Sequence, residues 1–184
     1  MACESSGVVR DAFRQRGHDA VSCDLLPTES PGPHIQGDVL DYLRGGWDLM
    51  VAHPPCQFLS NSGVRWLYTR PGRLGDMVRA AGFFRTLYLA PIPQVCIENP
   101  VQHKYAKWEH GCGDQKQVIQ PWQFGHGETK ATCLWLRGLD KLRHTDIVQG
   151  RQPRIHHMPP SKDRSKLRSI TYQGIADAMA DQWG

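Results

Sequence analysis

Cys56 stands in the run His53-Pro54-Pro55-Cys56-Gln57, with Ser60 and Gly63 just beyond it. The stretch before it, Trp47-Asp48-Leu49-Met50-Val51-Ala52, reads as a short buried strand. Open α/β sheets collect their ligands at the carboxyl ends of such strands. Two successive prolines fix φ and stiffen the loop. A thiolate aimed at a ring carbon needs that stiffness, because a misplacement of about an ångström costs roughly 100-fold in rate. A free cysteine after a strand can also be a small buried hydrophobe. The prolines before it, the glutamine after it and the Ser/Gly tail favour the nucleophile.

Other chemistry-bearing residues fall at similar places. Asp24 ends a strand over Ala20 to Cys23, and Asp38 stands in Gly37-Asp38-Val39. An acid at a strand end can accept hydrogen bonds from ribose hydroxyls, or cap a helix. Glu4-Ser5-Ser6-Gly7 precedes Val8-Val9, where amides at a helix start could face an anionic group or carry an ordinary serine cap. Glu98-Asn99-Pro100 follows Val95-Cys96-Ile97, and Lys130 precedes the apolar run Thr132-Cys133-Leu134-Trp135-Leu136.

Taken in order, these strand ends resemble the motif series of the DNA cytosine-5 methyltransferases, over most of the chain. Pro54-Pro55-Cys56-Gln57 resembles the element that carries the attacking thiolate. Glu98-Asn99-Pro100 resembles the family's Glu-Asn-Val, with proline as the third residue. Asn-Pro also resembles a motif of amino-methyltransferases, which lack the Pro-Pro-Cys-Gln nucleophile. The resemblance implies S-adenosylmethionine as cofactor, held by Glu4, Ser6, Gly7, Asp24, Asp38, Pro54 and Gly174, with Asp24 toward the ribose and Asp38 near the adenine amino group. It implies Cys56 as nucleophile, Glu98 as donor to cytosine N3, Asn99 orienting nearby backbone, and Lys130 in place of the arginine that holds the base. Gln152-Pro153-Arg154 is a second candidate for that arginine motif. Thr171-Tyr172-Gln173-Gly174 resembles the final motif, where Gly174 would allow close approach to the cofactor. The implied fold is α/β, a Rossmann-like methyltransferase with a mostly parallel sheet and helices on both faces. One catalytic domain over 1–184 is expected.

Hydrophobic spacing supports that order of elements. Helices are predicted from Val8 to Gly17, Val39 to Leu43, Asp76 to Leu89 and Ile175 to Trp183. Pro27 to Pro33 is a loop. Strands alternating with helices argue for a parallel sheet covered on both faces. The chain opens directly in a loop at Met1-Ala2-Cys3-Glu4, so the first strand is expected to be two or three residues long or missing.

At 184 residues with 40% hydrophobic and 22% charged content, the chain can bury a core without disulfides. Cys3, Cys23, Cys56 and Cys96 fall at or beside predicted strands, as core thiols do. There is no run of about 18 apolar residues for a membrane span and no basic-then-apolar leader pattern, so a cytoplasmic setting is expected, in a bacterial or phage-infected cell if the resemblance holds. His110, Cys112, His126 and Cys133 lack a common zinc spacing, and no metal is expected.

The net charge of +4 is unevenly spread. Arg151, Arg154, Lys162, Arg164, Lys166 and Arg168 crowd one segment against Asp163 alone, which suits a phosphate backbone or a solvated loop. Arg154, Lys162, Arg164, Lys166 and Arg168 are the candidate nucleic-acid contacts. The stretch from about Gln149 to Arg168 reads as the least regular and the most mobile. Residues 138–170 fill the place of the family's much larger target-recognition region, which leaves room for a protein partner. DNA is the expected substrate; the same chemistry on RNA or a pyrimidine nucleotide, or a non-catalytic DNA-binding module, remain open.

Overall fold

The structure, a computed structural model, describes residues 1–162 and 164–184. Asp163, counted above in the basic segment, lies outside the described residues. The elements are α1 (Val8–Gln15), β1 (Ser22–Asp24), β2 (His34–Gln36), β3 (Leu49–Ala52), α2 (Trp66–Thr69), α3 (Arg73–Tyr88), β4 (Gln94–Pro100), α4 (Lys104–His110), β5 (Gln117–Ile119), β6 (Thr132–Arg137), α5 (Arg154–His157), α6 (Arg164–Ser169) and α7 (Gln173–Trp183).

Residues 1–4 supply the strand that the sequence left in doubt. Ala2 bridges Cys23 and Ala52 in parallel sense. Its amide donates to Val51 O at 2.8 Å, and His53 N returns a bond to Ala2 O at 2.9 Å. On the other side Cys23 N donates to Met1 O and Glu4 N to Cys23 O. Residues 1–4 therefore join β1–β2 to β3–β4–β6–β5, giving the order β2, β1, residues 1–4, β3, β4, β6, β5.

β1 with β2 and β3 with β4 pair in parallel, whereas β6 runs antiparallel to both β4 and β5. The sheet is thus mixed, and the expected parallel run ends at β4. The reason lies in the connections: β5 and β6 are joined through residues 120–131, which turn back beside the sheet instead of crossing over a helix. The chain passes from residues 1–4 out to β1 and β2, then returns to β3 on the opposite side. That reversal puts a topological switch point between residues 1–4 and β3.

Side chains alternate across the sheet as the pleat requires. Met50, Ala52, Val95, Ile97, Cys133 and Trp135 face a core closed by Met77, Ala81, Phe84 and Leu87 of α3 and Ala106 of α4. Val51, Cys96, Leu134 and Leu136 face the other core, closed by Val9, Ala12 and Phe13 of α1 and by Ile175, Ala176, Met179 and Trp183 of α7. Helices cover both faces, and the strand ends between them stay accessible.

Two readings of irregular structure change. His34–Gln36, between the Pro27–Pro33 loop and the Val39 helix, is a strand because it pairs with Ser22–Asp24. The stretch from Gln149 to Arg168 holds α5 and α6, and Gln152 is tied at both backbone atoms, to Gly127 O and Thr129 N. Among the described residues no helix is long and apolar enough to cross a membrane.

Candidate active site

The Cys56 loop leaves β3 at the C-terminal edge and is tethered to the segment after β4. Asn99 Nδ2 donates to Pro54 O at 3.0 Å. His103 N donates to Leu59 O at 3.0 Å, and Asn61 N to Val101 O at 2.9 Å. The His103 ring bonds Phe58 O through Nε2 while Nδ1 accepts from Ala106 N, so one imidazole caps α4 and pins the loop. Leu59 N and Ser60 N both donate to Cys56 O, curling the chain behind the thiol.

Asn99 is itself held by a buried chain of amides with one polarity. Gln102 Nε2 donates to Asn99 Oδ1 at 3.2 Å. His110 Nε2 bonds Gln102 Oε1 at 2.9 Å, and Cys112 N donates to His110 Nδ1 at 3.0 Å. An accepting Nδ1 makes His110 the neutral Nε2–H tautomer. Burial, then the charges of Lys107 and Arg85, push its pKa down to about 4.

This arrangement has a pH consequence. The unfolded chain binds a proton at His110 below about pH 6.5, while the folded chain stays neutral until about pH 4. Stability is therefore lost as pH falls through that window, by about 3 kcal/mol at pH 4. Urea midpoints at pH 7 and pH 4.5 should show this loss in the wild type and a smaller one in His110→Gln. Equal losses in both would show that other groups carry the acid sensitivity.

Glu98 is 9% exposed at the end of β4. Thr171 Oγ1 donates to its Oε2 at 3.1 Å, and His53 Nδ1 lies 3.4 Å from the same oxygen. Burial alone would raise the carboxyl. The bond and charge of His53, the charge of Lys130 and the Thr171 hydroxyl outweigh it and hold Glu98 below its usual value. His53 moves the opposite way: burial would lower it, and Glu98 raises it above the ordinary imidazole value. The two shifts are complementary, each group favouring the charged form of the other.

Lys130 donates Nζ to Ile170 O at 3.1 Å and sits over the Tyr172 ring. Burial pulls its pKa down against the opposing charges of Glu98 and Cys56. The Cys56 thiol is pushed up by burial, more than its own backbone amide, Lys130 and Arg168 pull it down. Cys56, Glu98, Lys130 and Arg168 thus lie within one another's electrostatic reach. Resting Cys56 is a thiol, so its ionisation depends on what enters the site.

The residues assigned to the cofactor divide into two groups. Asp24 and Asp38 each use Oδ1 to close a local turn, to Leu26 N and Leu40 N, and neither Oδ2 is engaged among the described residues. Both face Cys3, which adopts φ 55°, the one positive-φ non-glycine among the described residues. Burial and those two carboxylates push the Cys3 thiol up to about 12. Pro54 is buried and contributes its carbonyl to Asn99.

Glu4, Ser6 and Gly7 have structural partners instead. Glu4 accepts from Val9 N at 2.7 Å, Arg10 N at 3.2 Å and Ser6 Oγ, and Ser6 Oγ accepts from Val8 N. The helix amides expected to face a ligand are therefore satisfied by Glu4 and Ser6 themselves. Gly7, at φ 77°, lies against the Arg10 guanidinium. Gly174 has a structural partner of its own. A Cβ there would lie 1.9 Å from Phe124 O, and its amide donates to His126 Nε2. The close approach that demands glycine is to the Phe124 backbone.

The basic residues are only partly free. Lys166 pairs with Glu29 at 3.0 Å, Arg154 lies 3.9 Å from Glu128, and Arg164 Nε donates to Met158 O. Lys162 is exposed. A second basic patch, unread in the sequence, follows Cys56 directly. The guanidinium carbons of Arg65 and Arg70 lie 4.3 and 3.9 Å from the Trp66 ring centre, and Arg73 lies over Phe58. Arginines interleaved with aromatics in this way suit stacked bases and phosphates; the signal was the Arg-Trp-x-Tyr-x-Arg spacing. His53 and Thr171 are the other residues missed. Both stood inside quoted motifs, but only the fold brings them to Glu98.

Neither a family model nor a curated protein sequence matches this chain. Among solved structures it is similar to a candidate DNA modification methyltransferase encoded within a prophage of E. coli, with a TM-score of 0.48 and 15% identity. The likeness covers 80% of this chain and 51% of the other, so the chain spans about half that protein's length. A likeness this distant carries no argument about activity. A cavity of about 650 Å³ opens at the opposite, N-terminal ends of β3 and β4, beside Asp48, Met50, Gln94 and Trp183, away from Cys56.

Proposed function

We propose that this chain transfers a methyl group from S-adenosylmethionine to C5 of cytosine in DNA, through a covalent bond between Cys56 and C6. The observation that carries this reading is the convergence of Cys56, Glu98 and Lys130 at the C-terminal edge of the sheet, on a loop pinned by Asn99. A nucleophile, a carboxyl group and a cation set around one opening match what addition to a pyrimidine ring requires.

The switch point beside that opening fits the cofactor. The unengaged Oδ2 of Asp24 can accept from the hydroxyls of a ribose, and that of Asp38 from an adenine amino group. S-adenosylmethionine, when bound, supplies an electrophilic methyl group. Glu4, Ser6 and Gly7 then act by holding α1 and the loop in shape. Gly174 acts by seating α7 against α1 and the Phe124 turn.

The chain's own residues perform the rest. Cys56, once ionised, adds to C6. Glu98 serves N3, where charge accumulates, and Lys130 balances charge beside both. After methylation a base removes the C5 proton and Cys56 leaves by elimination. A base in a duplex must first be flipped out of the stack to reach Cys56. Arg154, Lys162, Arg164, Lys166 and Arg168, with Arg65 and Arg70 beyond the nucleophile, are the phosphate contacts of this reading, and Arg168 also lies near the thiol. Lys166 must exchange Glu29 for a phosphate to take part. A protein partner that adds sequence recognition is compatible with the short 138–170 segment.

The test is transfer of labelled methyl to DNA containing 5-fluorocytosine. Fluorine at C5 blocks the elimination, so wild type should form an adduct that survives denaturation and Cys56→Ser should form none. An adduct with the free nucleotide or RNA but not with DNA would move the substrate while keeping the chemistry. No adduct with any of them, despite binding of S-adenosylmethionine and DNA, would favour a binding module and end the reading.

A further inference from the structure

The register of β3 against β4 places Ala52 beside Ile97. The next residues along, His53 and Glu98, are therefore brought side by side at the site. His53 Nδ1 and Thr171 Oγ1 both address Glu98 Oε2, at 3.4 and 3.1 Å. The other carboxylate oxygen, Oε1, accepts no hydrogen bond among the described residues. His53 Nε2 is buried with no hydrogen-bond partner among the described residues. A buried ring nitrogen left unpaired costs stability, so this histidine is a poor choice if the position serves packing alone.

We propose that His53 is a positioning residue that keeps a transferable proton on the His53–Glu98 pair, so that Glu98 can protonate cytosine N3 as Cys56 adds to C6. The proposal rests on the cytosine reading above. Over neutral pH the pair holds one proton. Cys56, having lost its own proton to solvent, donates an electron pair that forms the S–C6 bond. The C5–C6 π electrons move toward N3, which takes the shared proton through Glu98. The imidazole is left neutral and Glu98 remains a carboxylate. When Cys56 leaves, N3 returns the proton by the same path, so nothing is consumed.

Charged groups around the pair set its proton affinity, and Cys56 becomes one when it ionises. Glu98 on β4 and Glu4 on the N-terminal segment favour imidazolium, and the Met1 ammonium opposes it. Lys130 and the Thr171 hydroxyl act on the Glu98 side.

Two measurements test the proposal together. Nitrogen-15 spectra of the histidine rings in the free, full-length protein should show His53 as imidazolium above pH 6.5 in wild type and neutral there in Glu98→Gln. His53→Gln should lower the rate of adduct formation with 5-fluorocytosine DNA about 100-fold. It should also move the alkaline limb of the pH–rate profile down by about a pH unit or more, with DNA and S-adenosylmethionine affinities unchanged. A His53 ring that is neutral at pH 7 in wild type overturns the proposal, as does a His53→Gln variant with wild-type rate and an unchanged alkaline limb. If wild type shows the imidazolium but forms no adduct, the cytosine reading fails, and the N3 step with it, while the proton-sharing pair stands.

Discussion

Arg10→Ala should lower stability by about 3–5 kcal/mol, a drop of about 10 °C or more in Tm for a chain of this size. Arg10 is fully buried on α1, and a guanidinium has five N–H donors. Each one is used. Nε donates to Asp11 Oδ1 at 2.7 Å, Nη1 to Ser22 Oγ and Thr28 Oγ1, and Nη2 to Ser30 O and Pro31 O. Gly7 and Gly32 sit so close that a Cβ on either would strike the guanidinium, at 2.4 and 2.8 Å. One side chain thus clasps α1, β1 and the 25–33 loop, and that loop in turn donates Glu29 N to Ser5 O. Truncation strands five acceptors and releases the 25–33 loop from α1 and β1. Arg10→Lys keeps the charge but not the fork, so it should recover less than half of the loss. Thermal unfolding of the three proteins decides this; a full recovery by lysine would show that charge, not geometry, is what the fold needs.

Gly174→Ala should cost about 3 kcal/mol, at the upper end of what overpacking usually does. Alanine would ordinarily favour a helix over glycine by about 1 kcal/mol, so the sign of the change is informative. The cost arises because the new methyl would meet Phe124 O at 1.9 Å, a backbone atom that cannot rotate away. Relief requires α7 to lift from the 121–126 turn, which also breaks the bond from Gly174 N to His126. α7 closes one of the two cores through Ile175, Ala176, Met179 and Trp183. The urea midpoint should fall with an unchanged slope. A rise in the midpoint would mean that the turn yields freely and that this glycine answers to something else.

Long apolar runs were readable in the sequence: β3, β4, β6, α3 and α7 appear within a few residues of their predicted places. Short elements were not. β2 has one apolar residue, Ile35, and β5 is three residues long, so neither shows a period that hydropathy can detect. α4 was missed because its start is set by a histidine cap, through His103, instead of the usual Ser, Thr, Asp or Asn. At the site, the residue types at the strand ends were readable, but their partners were not. Glu4 and Gly174 carried the right chemistry for a ligand, yet the fold directs one to the α1 amides and the other to the Phe124 carbonyl. His53 shows the converse. It stood in the most informative run of the chain without an assigned role, because only the β3–β4 register reveals that it faces Glu98.

The place of residues 1–4 in mid-sheet sets an order of events during synthesis. Ala2 pairs with Cys23 and Ala52, which leave the ribosome about 20 and about 50 residues later. At roughly 5–20 residues per second, this segment waits seconds for its second neighbour. Until it docks, β1 and β3 present unpaired edges to each other across a gap, the kind of surface that recruits other chains. Until residues 1–4 are threaded between β1 and β3, the nascent chain exposes these strand edges. Substitutions near Ala2 should then act mainly on the unfolding rate, the result expected of a late-docking segment, and a denaturant chevron of an Ala2 variant checks it.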